Sequence, residues 1–259
     1  NLRASILRPQ LKKIISNQEF IIPLAALVGA PLCEKRKKEA VKVNVKSIKL
    51  LLSLIKKNQK ILYPTTNSGY GIGQKSKFCD ENTPLNPISL YGRTKVEAEE
   101  LISTHTNYIC FRLATVFGYS FRMRTDLIVN NFVETAVKKG KLEIFEPQFR
   151  RNFIHINDIV DAFLFSIKNY NKLKNNIYNL GLSSANISKI NLARKIKKIV
   201  PRTSVIVNTK GSDPDKRDYF VSNKKIEKAG FKAKVSLDDG IKELNNIFQN
   251  CDIKFINNY

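Results

Sequence analysis

Short apolar runs set between helix-period stretches constrain this chain more than any other feature. Ile61-Leu62-Tyr63 and Tyr108–Leu113 are rich in β-branched and aromatic residues and too short for helices, and Phe20–Ala25 has the same character. Such runs read as buried parallel strands. Between them Val41, Val45, Ile48, Leu51, Leu52 and Ile55 recur at helical spacing, which predicts one amphipathic helix over Ala40–Lys57 ending at Asn58. Another helix is expected from Tyr91 to about Ser103. Strands alternating with helices imply an α/β fold with a doubly wound parallel, Rossmann-type sheet.

Beyond Gly118 the pattern loosens. Helices are expected over Leu127–Lys138, Asn157–Ile167, Ile187–Ile199, Asn223–Ala229 and Leu237–Phe248, with short strands near Leu142–Phe145, Ile177–Leu180 and Ser204–Asn208. This mixed filling predicts a smaller α+β lobe interleaved with the sheet. Residues 1–117 and 153–182 are assigned to the sheet domain, 118–152 and 183–259 to the lobe. A chain of 259 residues can bury a core of that extent.

The balance of 45 Lys+Arg against 22 Asp+Glu gives a formal charge of +23, a field that attracts polyanions. The lysines are spread along helical segments such as Lys35–Lys49 and Lys189–Lys198, without the compact Arg/aromatic stripe of nucleic-acid readers. A solvated surface is therefore the plainer reading, and it suits a substrate carrying a diphosphate. No apolar stretch reaches the length of a membrane span and no secretory signal is visible. Cys33, Cys79, Cys110 and Cys251 form no CxxC pair and have no histidines to complete a metal site. A soluble cytoplasmic protein with reduced thiols and no metal is expected.

Tyr91-Gly92-Arg93-Thr94-Lys95 places a phenol and an ammonium on one face of a helix start. A nearby ammonium stabilises phenolate, which makes a tyrosine a competent general base. Upstream, Ile61–Tyr63 runs into Pro64-Thr65-Thr66-Asn67-Ser68-Gly69-Tyr70-Gly71, a hydroxyl-rich strand end of the kind where parallel sheets bind ligands. By themselves the pair also describes an exposed helix contact and the threonines a turn cap. Together they point to a reacting hydroxyl held between Thr66 and Tyr91.

At these residues the chain resembles the extended short-chain dehydrogenase/reductases, the NAD-dependent epimerase/dehydratase family. The resemblance covers essentially the whole chain and implies a catalytic set of Thr66, Tyr91 and Lys95. Leu24-Ala25-Ala26 resembles the strand end beside the cofactor, and Asn44 the polar residue that anchors the active-site helix, with an exposed helix position as its alternative. Phe111–Gly118 resembles the substrate-loop segment, and Arg150–Asp158 the Arg-Asp-aromatic-Ile-His motif whose arginine reaches a diphosphate. NAD contacts are thus expected from Leu2, Leu24, Ala25, Ala26, Asn44, Tyr91 and Lys95. Substrate contacts are expected from Thr66, Asn67, Thr115, Arg151 and, in the loop Gly211–Asp218, Arg217. His155 is expected to be a packed core residue and Asp158 a helix cap.

The family opens with a strand, a Gly-x-x-Gly-x-x-Gly turn and an acidic ribose ligand, and none stands in Asn1–Gln18. The chain is therefore expected to lack the first βαβ and to bind NAD poorly by itself, with NADP left open. The implied activity is hydride transfer at a nucleotide-sugar carbon, usually C4, with Tyr91 as base. Dehydratases of the family carry acids where Asn67 and Ser68 stand, so a 4-epimerase or 4-dehydrogenase/reductase is expected over a 4,6-dehydratase. The alternatives are that dehydratase, or a non-catalytic member binding RNA or another polyanion. A homodimer through the 40–57 and 91–103 helices is implied as well.

Overall fold

The computed structural model describes residues 4–73, 77–210 and 217–250. The expectations attached to Leu2, to residues 211–216 and to Cys251 lie outside the described residues.

Helix α1 (Ala4–Ser16) leads into the short strand β1 (Phe20–Ile21). Three helical pieces follow, α2 (Ala30–Lys35), α3 (Lys37–Val41) and α4 (Ser47–Leu52), the last two joined by a π-helical turn over Lys42–Lys46. Strand β2 (Lys60–Thr66) enters a 3-10 turn at Asn67–Tyr70 and is followed by β3 (Phe78–Cys79), α5 (Leu90–Ser103), β4 (Tyr108–Leu113) and β5 (Thr115–Phe117). The remainder comprises α6 (Ile128–Lys139), β6 (Lys141–Ile144), β7 (Arg150–His155), α7 (Ile156–Lys168), α8 (Tyr170–Leu173), β8 (Asn176–Leu180), β9 (Asn186–Ser188), α9 (Lys189–Ile199), β10 (Ser204–Val207), β11 (Phe220–Val221), α10 (Lys224–Lys228) and α11 (Leu237–Asn250).

The central sheet has the order β1-β2-β4-β8, every pairing parallel. Side chains of a strand alternate between its faces, and here both faces are covered. Ile61, Tyr63 and Cys110 pack with Ile48 of α4 and with Ala98 and Ile102 of α5. Leu62, Ile109 and Phe111 point the other way, into a core shared with Ala162 of α7 and Tyr170 of α8. This is the doubly wound arrangement expected from the apolar runs.

A second core gathers α6, α9 and α11 over the parallel pair β6/β10, with Val133, Leu142, Leu192 and Leu244 at its centre. Phe117 and Phe153 also pack into this core, whereas Ile226 and Phe231 pack into the core of the central sheet. Side chains thus cross the lobe boundaries drawn above, which stand as a proposal.

Three local expectations are corrected. The helix expected over Ala40–Lys57 ends at Leu52 and contains the π turn, an extra residue in the helical repeat. Only Phe20 and Ile21 of the expected strand Phe20–Ala25 pair with a neighbour. The helix Ala4–Ser16 escaped the sequence reading because Pro9 lies inside it, and proline ordinarily ends a helix.

Helix α5 is tied to β4 by a buried ion pair. Arg112 donates to Glu99 from Nε at 3.1 and 3.2 Å and from Nη2 at 2.7 Å. Its Nη1 reaches the Tyr70 hydroxyl at 3.0 Å, and that hydroxyl donates to Asn179 Oδ1 at 2.7 Å. Among the described residues no helix is long and apolar enough to cross a membrane.

Candidate active site

The site forms where β2 ends against the start of α5. Ser89 caps α5 by accepting from Gly92 N at 3.1 Å, so the helix begins one residue before Tyr91. A Cβ at position 92 would lie 2.9 Å from the Pro87 side chain and 3.2 Å from Ser68 O. Glycine there lets the first turn of α5 close onto the 67–70 turn. Gly71, at φ +65, ends that turn with its missing Cβ 2.0 Å from Asn86 O, a position only glycine can fill.

These constraints bring Tyr91 beside Thr66, whose hydroxyl acts on the phenol. Thr66 Oγ1 also donates to Ser68 Oγ at 2.9 Å and accepts from Ser68 N at 3.1 Å. Ser68 Oγ in turn accepts from Arg217 Nη1. A hydrogen-bonded chain therefore runs from Thr66 through Ser68 to a guanidinium. Burial raises the Tyr91 hydroxyl above its ordinary pKa, while the Thr66 hydroxyl and the charges of Arg217 and Arg124 pull it down.

Lys95 reaches the wall of β2. Its ammonium donates to Tyr63 Oη at 2.6 Å and to Pro64 O at 2.7 Å, and lies 4.1 Å from the centre of the Tyr63 ring. Burial lowers it to about 8, against the opposing influence of Cys110 and Glu99. A buried ammonium must find oxygen acceptors, and the flexible stem carries it past the phenol on its own helix to the wall of β2.

Asn44 sits inside the π turn and is buried. It accepts from Leu27 N at 2.8 Å and donates to Leu27 O at 2.9 Å and to Thr94 Oγ1 at 3.1 Å. It therefore clamps the loop after β1 to helix α5, as an anchor would, and the exposed alternative is set aside. In that loop Leu24 is 70% exposed, Ala25 is exposed and Ala26 half-buried. Asn67 is buried with neither amide atom hydrogen-bonded, an omission that costs about 1–3 kcal/mol and marks a site to be explained.

A cleft of about 670 Å³ opens beside this centre, lined by Thr115, Phe132, Arg124, Arg151, Lys189 and Arg217 among others. That size suits a small organic ligand, and the lining sets these four cations beside the carboxylates of Glu34, Asp126 and Glu143. Arg151 is buried and donates to the carbonyls of Arg150, at 2.8 Å, and Arg217. Arg124 pairs with Asp126. Tyr63, Arg124 and Lys189 were missed by sequence reasoning; Tyr63, for one, meets Lys95 across 32 residues, a contact that no short spacing marks.

His155 is buried, holds Glu243 at 2.6 Å and caps α7 by accepting from Asn157 N, a packed residue as expected. Asp158 does not cap the helix; its carboxylate accepts from Lys234 N at 2.8 Å and Val235 N at 3.0 Å, pinning the turn before α11.

The sequence model described as the NAD dependent epimerase/dehydratase family matches residues 3–181. The chain belongs to the NAD-dependent epimerase/dehydratase family. Among curated relatives, UDP-glucose 4-epimerase of Lactobacillus helveticus is 28% identical over 65% of this chain and 58% of its own length. Human dTDP-D-glucose 4,6-dehydratase is 26% identical over 87% of this chain and 67% of its own. The chain thus spans about three fifths to two thirds of the length of these relatives. Among solved structures, UDP-glucuronic acid 4-epimerase of Bacillus cereus, in complex with UDP-glucuronic acid and NAD, superposes with a TM-score of 0.81 at 24% identity, covering 94% of this chain and 79% of that one. The dTDP-glucose 4,6-dehydratase of Bacillus anthracis, in complex with NAD, gives 0.80 at 18%, covering 96% and 78%. These neighbours establish the Rossmann-type fold of this family member.

Proposed function

We propose that this epimerase/dehydratase-family chain carries the catalytic centre of a nucleotide-sugar 4-epimerase or 4-dehydrogenase/reductase, with Tyr91 as general base. The placement of the Tyr91 phenol beside the Thr66 hydroxyl, where β2 ends against the start of α5, carries this reading. A sugar hydroxyl set between them would give its proton to the phenolate oxygen while Thr66 fixes the direction of approach. Tyr91 lies in the first turn of α5, where the helix dipole favours an anion. Arg124, Arg151, Lys189 and Arg217 supply positive potential for a diphosphate.

The residues present fit the nicotinamide end of NAD, while no Gly-x-x-Gly-x-x-Gly turn for its pyrophosphate stands in the given sequence. The loop after β1 leaves Leu24 and Ala25 uncovered at the carboxyl end of the sheet, where dinucleotides lie in this fold. Lys95 already grips a phenol and a carbonyl oxygen and could exchange them for ribose hydroxyls. Leu24, Ala25, Ala26 and Lys95 would hold the cofactor, with Asn44 steadying the loop. When bound, NAD supplies the hydride acceptor.

Elimination of water needs an acid beside the base. Asn67 offers a neutral amide, and the Ser68 hydroxyl is held by Thr66 and Arg217, so neither exchanges a proton near neutral pH. Incubating the intact protein with UDP-, GDP-, dTDP- and CDP-sugars tests the assignment. Interconversion of C4 epimers or a 4-keto sugar, without loss of water, is expected; a 4-keto-6-deoxy product would replace this reading with the dehydratase.

The homodimer is proposed through α3, α4 and α5. The groove beside these helices is lined by Lys37, Lys38, Lys42, Lys46 and Arg93 with only Glu34 opposing them. Two copies meeting there repel, and salt screens that repulsion within about 8–10 Å. Sedimentation velocity is expected to show the dimer fraction rising from low to physiological salt.

A further inference from the structure

Tyr63 lies on β2, shortly before Thr66, and is 2% exposed. Its ring sits between the sheet and the helices that cover it, packing with Ile48 of α4 and with Ala98 and Ile102 of α5. That packing fixes where the hydroxyl ends. There it accepts from Lys95 Nζ at 2.6 Å, while Pro64 O accepts from the same ammonium at 2.7 Å and the centre of the Tyr63 ring stands 4.1 Å away. Two of the three donors of the ammonium are thus spent on oxygens of one strand. Both oxygens are neutral, because burial raises the Tyr63 hydroxyl far above its ordinary range and keeps it a phenol. The carboxylate of Glu99, one turn further along α5, is held by Nε and Nη2 of Arg112.

We propose that Tyr63 is a positioning residue of the reaction centre: its hydroxyl, backed by the Pro64 carbonyl, keeps the Lys95 side chain charged and fixed against the end of β2. This assignment rests on Lys95 belonging to the catalytic set with Thr66 and Tyr91. An ammonium taken out of water reverts to a neutral amine unless oxygens replace the lost solvent, and burial does lower Lys95, to about 8. The ionisable groups facing it are Tyr63 from β2, Cys110 from β4, and Glu99 of α5 with its partner Arg112 from β4, while Tyr91 from the first turn of α5 acts on Tyr63. Burial raises the Cys110 thiol well above its ordinary value, so it stays neutral, and Glu99 is answered by Arg112. The phenol and the carbonyl therefore hold the ammonium in place, and of these two the phenol can be removed by substitution.

Tyr63→Phe removes that one oxygen and leaves the ring, with its contact to the ammonium, in the core. In the intact protein carrying carbon-13 at the lysine Cε atoms, the Lys95 resonance is identified by its absence from Lys95→Met and followed by NMR as pH is varied. Its ionisation midpoint is expected to fall by about one pH unit in Tyr63→Phe, in line with the loss of a hydrogen bond to the charged form. Tyr170→Phe, at a buried tyrosine in the core on the other face of the sheet, is expected to leave the midpoint where it is. Circular dichroism checks that each variant is folded. Should Tyr63→Phe unfold, a fluorinated tyrosine at position 63, a weaker acceptor, takes its place and is expected to lower the midpoint by less. An unchanged midpoint in the folded position-63 variant overturns the proposal, as does an equal fall in Tyr170→Phe, which would mark a general loosening of the core. The titration needs neither cofactor nor turnover, so its outcome stands apart from retained activity in Tyr91→Phe, which would instead sink Tyr91 as base.

Discussion

Replacing Tyr91 by phenylalanine is expected to lower kcat by about 10²–10⁴-fold, the span over which a positioned general base contributes. The substitution removes one oxygen from a ring that is half-buried at the start of α5, so the fold should be undisturbed and the circular dichroism unchanged. The pH dependence has a definite sign. Because burial raises the hydroxyl above its ordinary value, the reactive phenolate becomes more abundant as pH rises, and kcat/KM should climb through the neutral and mildly alkaline range. A rate independent of pH over that interval, or full activity in Tyr91→Phe, would move the chemistry elsewhere.

The largest effect on stability is expected at the buried pair Arg112–Glu99. Glu99→Ala strands a guanidinium that is 5% exposed and lies among Glu99, Tyr70 and the Glu81 carbonyl. Breaking one side of a buried pair costs about 3–5 kcal/mol, because the remaining charge stays out of water without a partner. Urea denaturation should report this as a lower midpoint at unchanged slope. The double variant Glu99→Leu/Arg112→Met removes both charges and should recover much of the loss. A single variant as stable as the parent would mean that Arg112 finds water or another acceptor.

How far the sequence alone reached is clearest in particular residues. Ile61–Tyr63 and Tyr108–Leu113 were legible because burial on both faces demands unbroken apolar side chains, and both lie in the central sheet. The strand end at Thr66 and the helix start before Tyr91 were legible, since each carries a recognisable local pattern. The partner of Lys95 was not, because Tyr63 lies 32 residues away and reads simply as one more core aromatic. The end of the helix at Leu52 was hidden for a related reason: Ile55 continues the apolar spacing, yet Leu54 and Ile55 both fold back their amides onto Leu51 O. The contact of Arg217 with Ser68 depends on Asp218 and Arg150 bringing two distant segments together, and no pattern along one strand of sequence records such a meeting.

The π turn at Lys42–Lys46 makes chain length part of the chemistry. With about 100° of rotation per residue in a regular helix, excising one residue from this wide turn would swing Asn44 from the interior toward solvent and release Leu27 and Thr94 together. Insertions and deletions that pass unnoticed among exposed lysines elsewhere would here uncouple the loop after β1 from helix α5. Comparisons across related chains should therefore align on that asparagine and let the gap fall where it must.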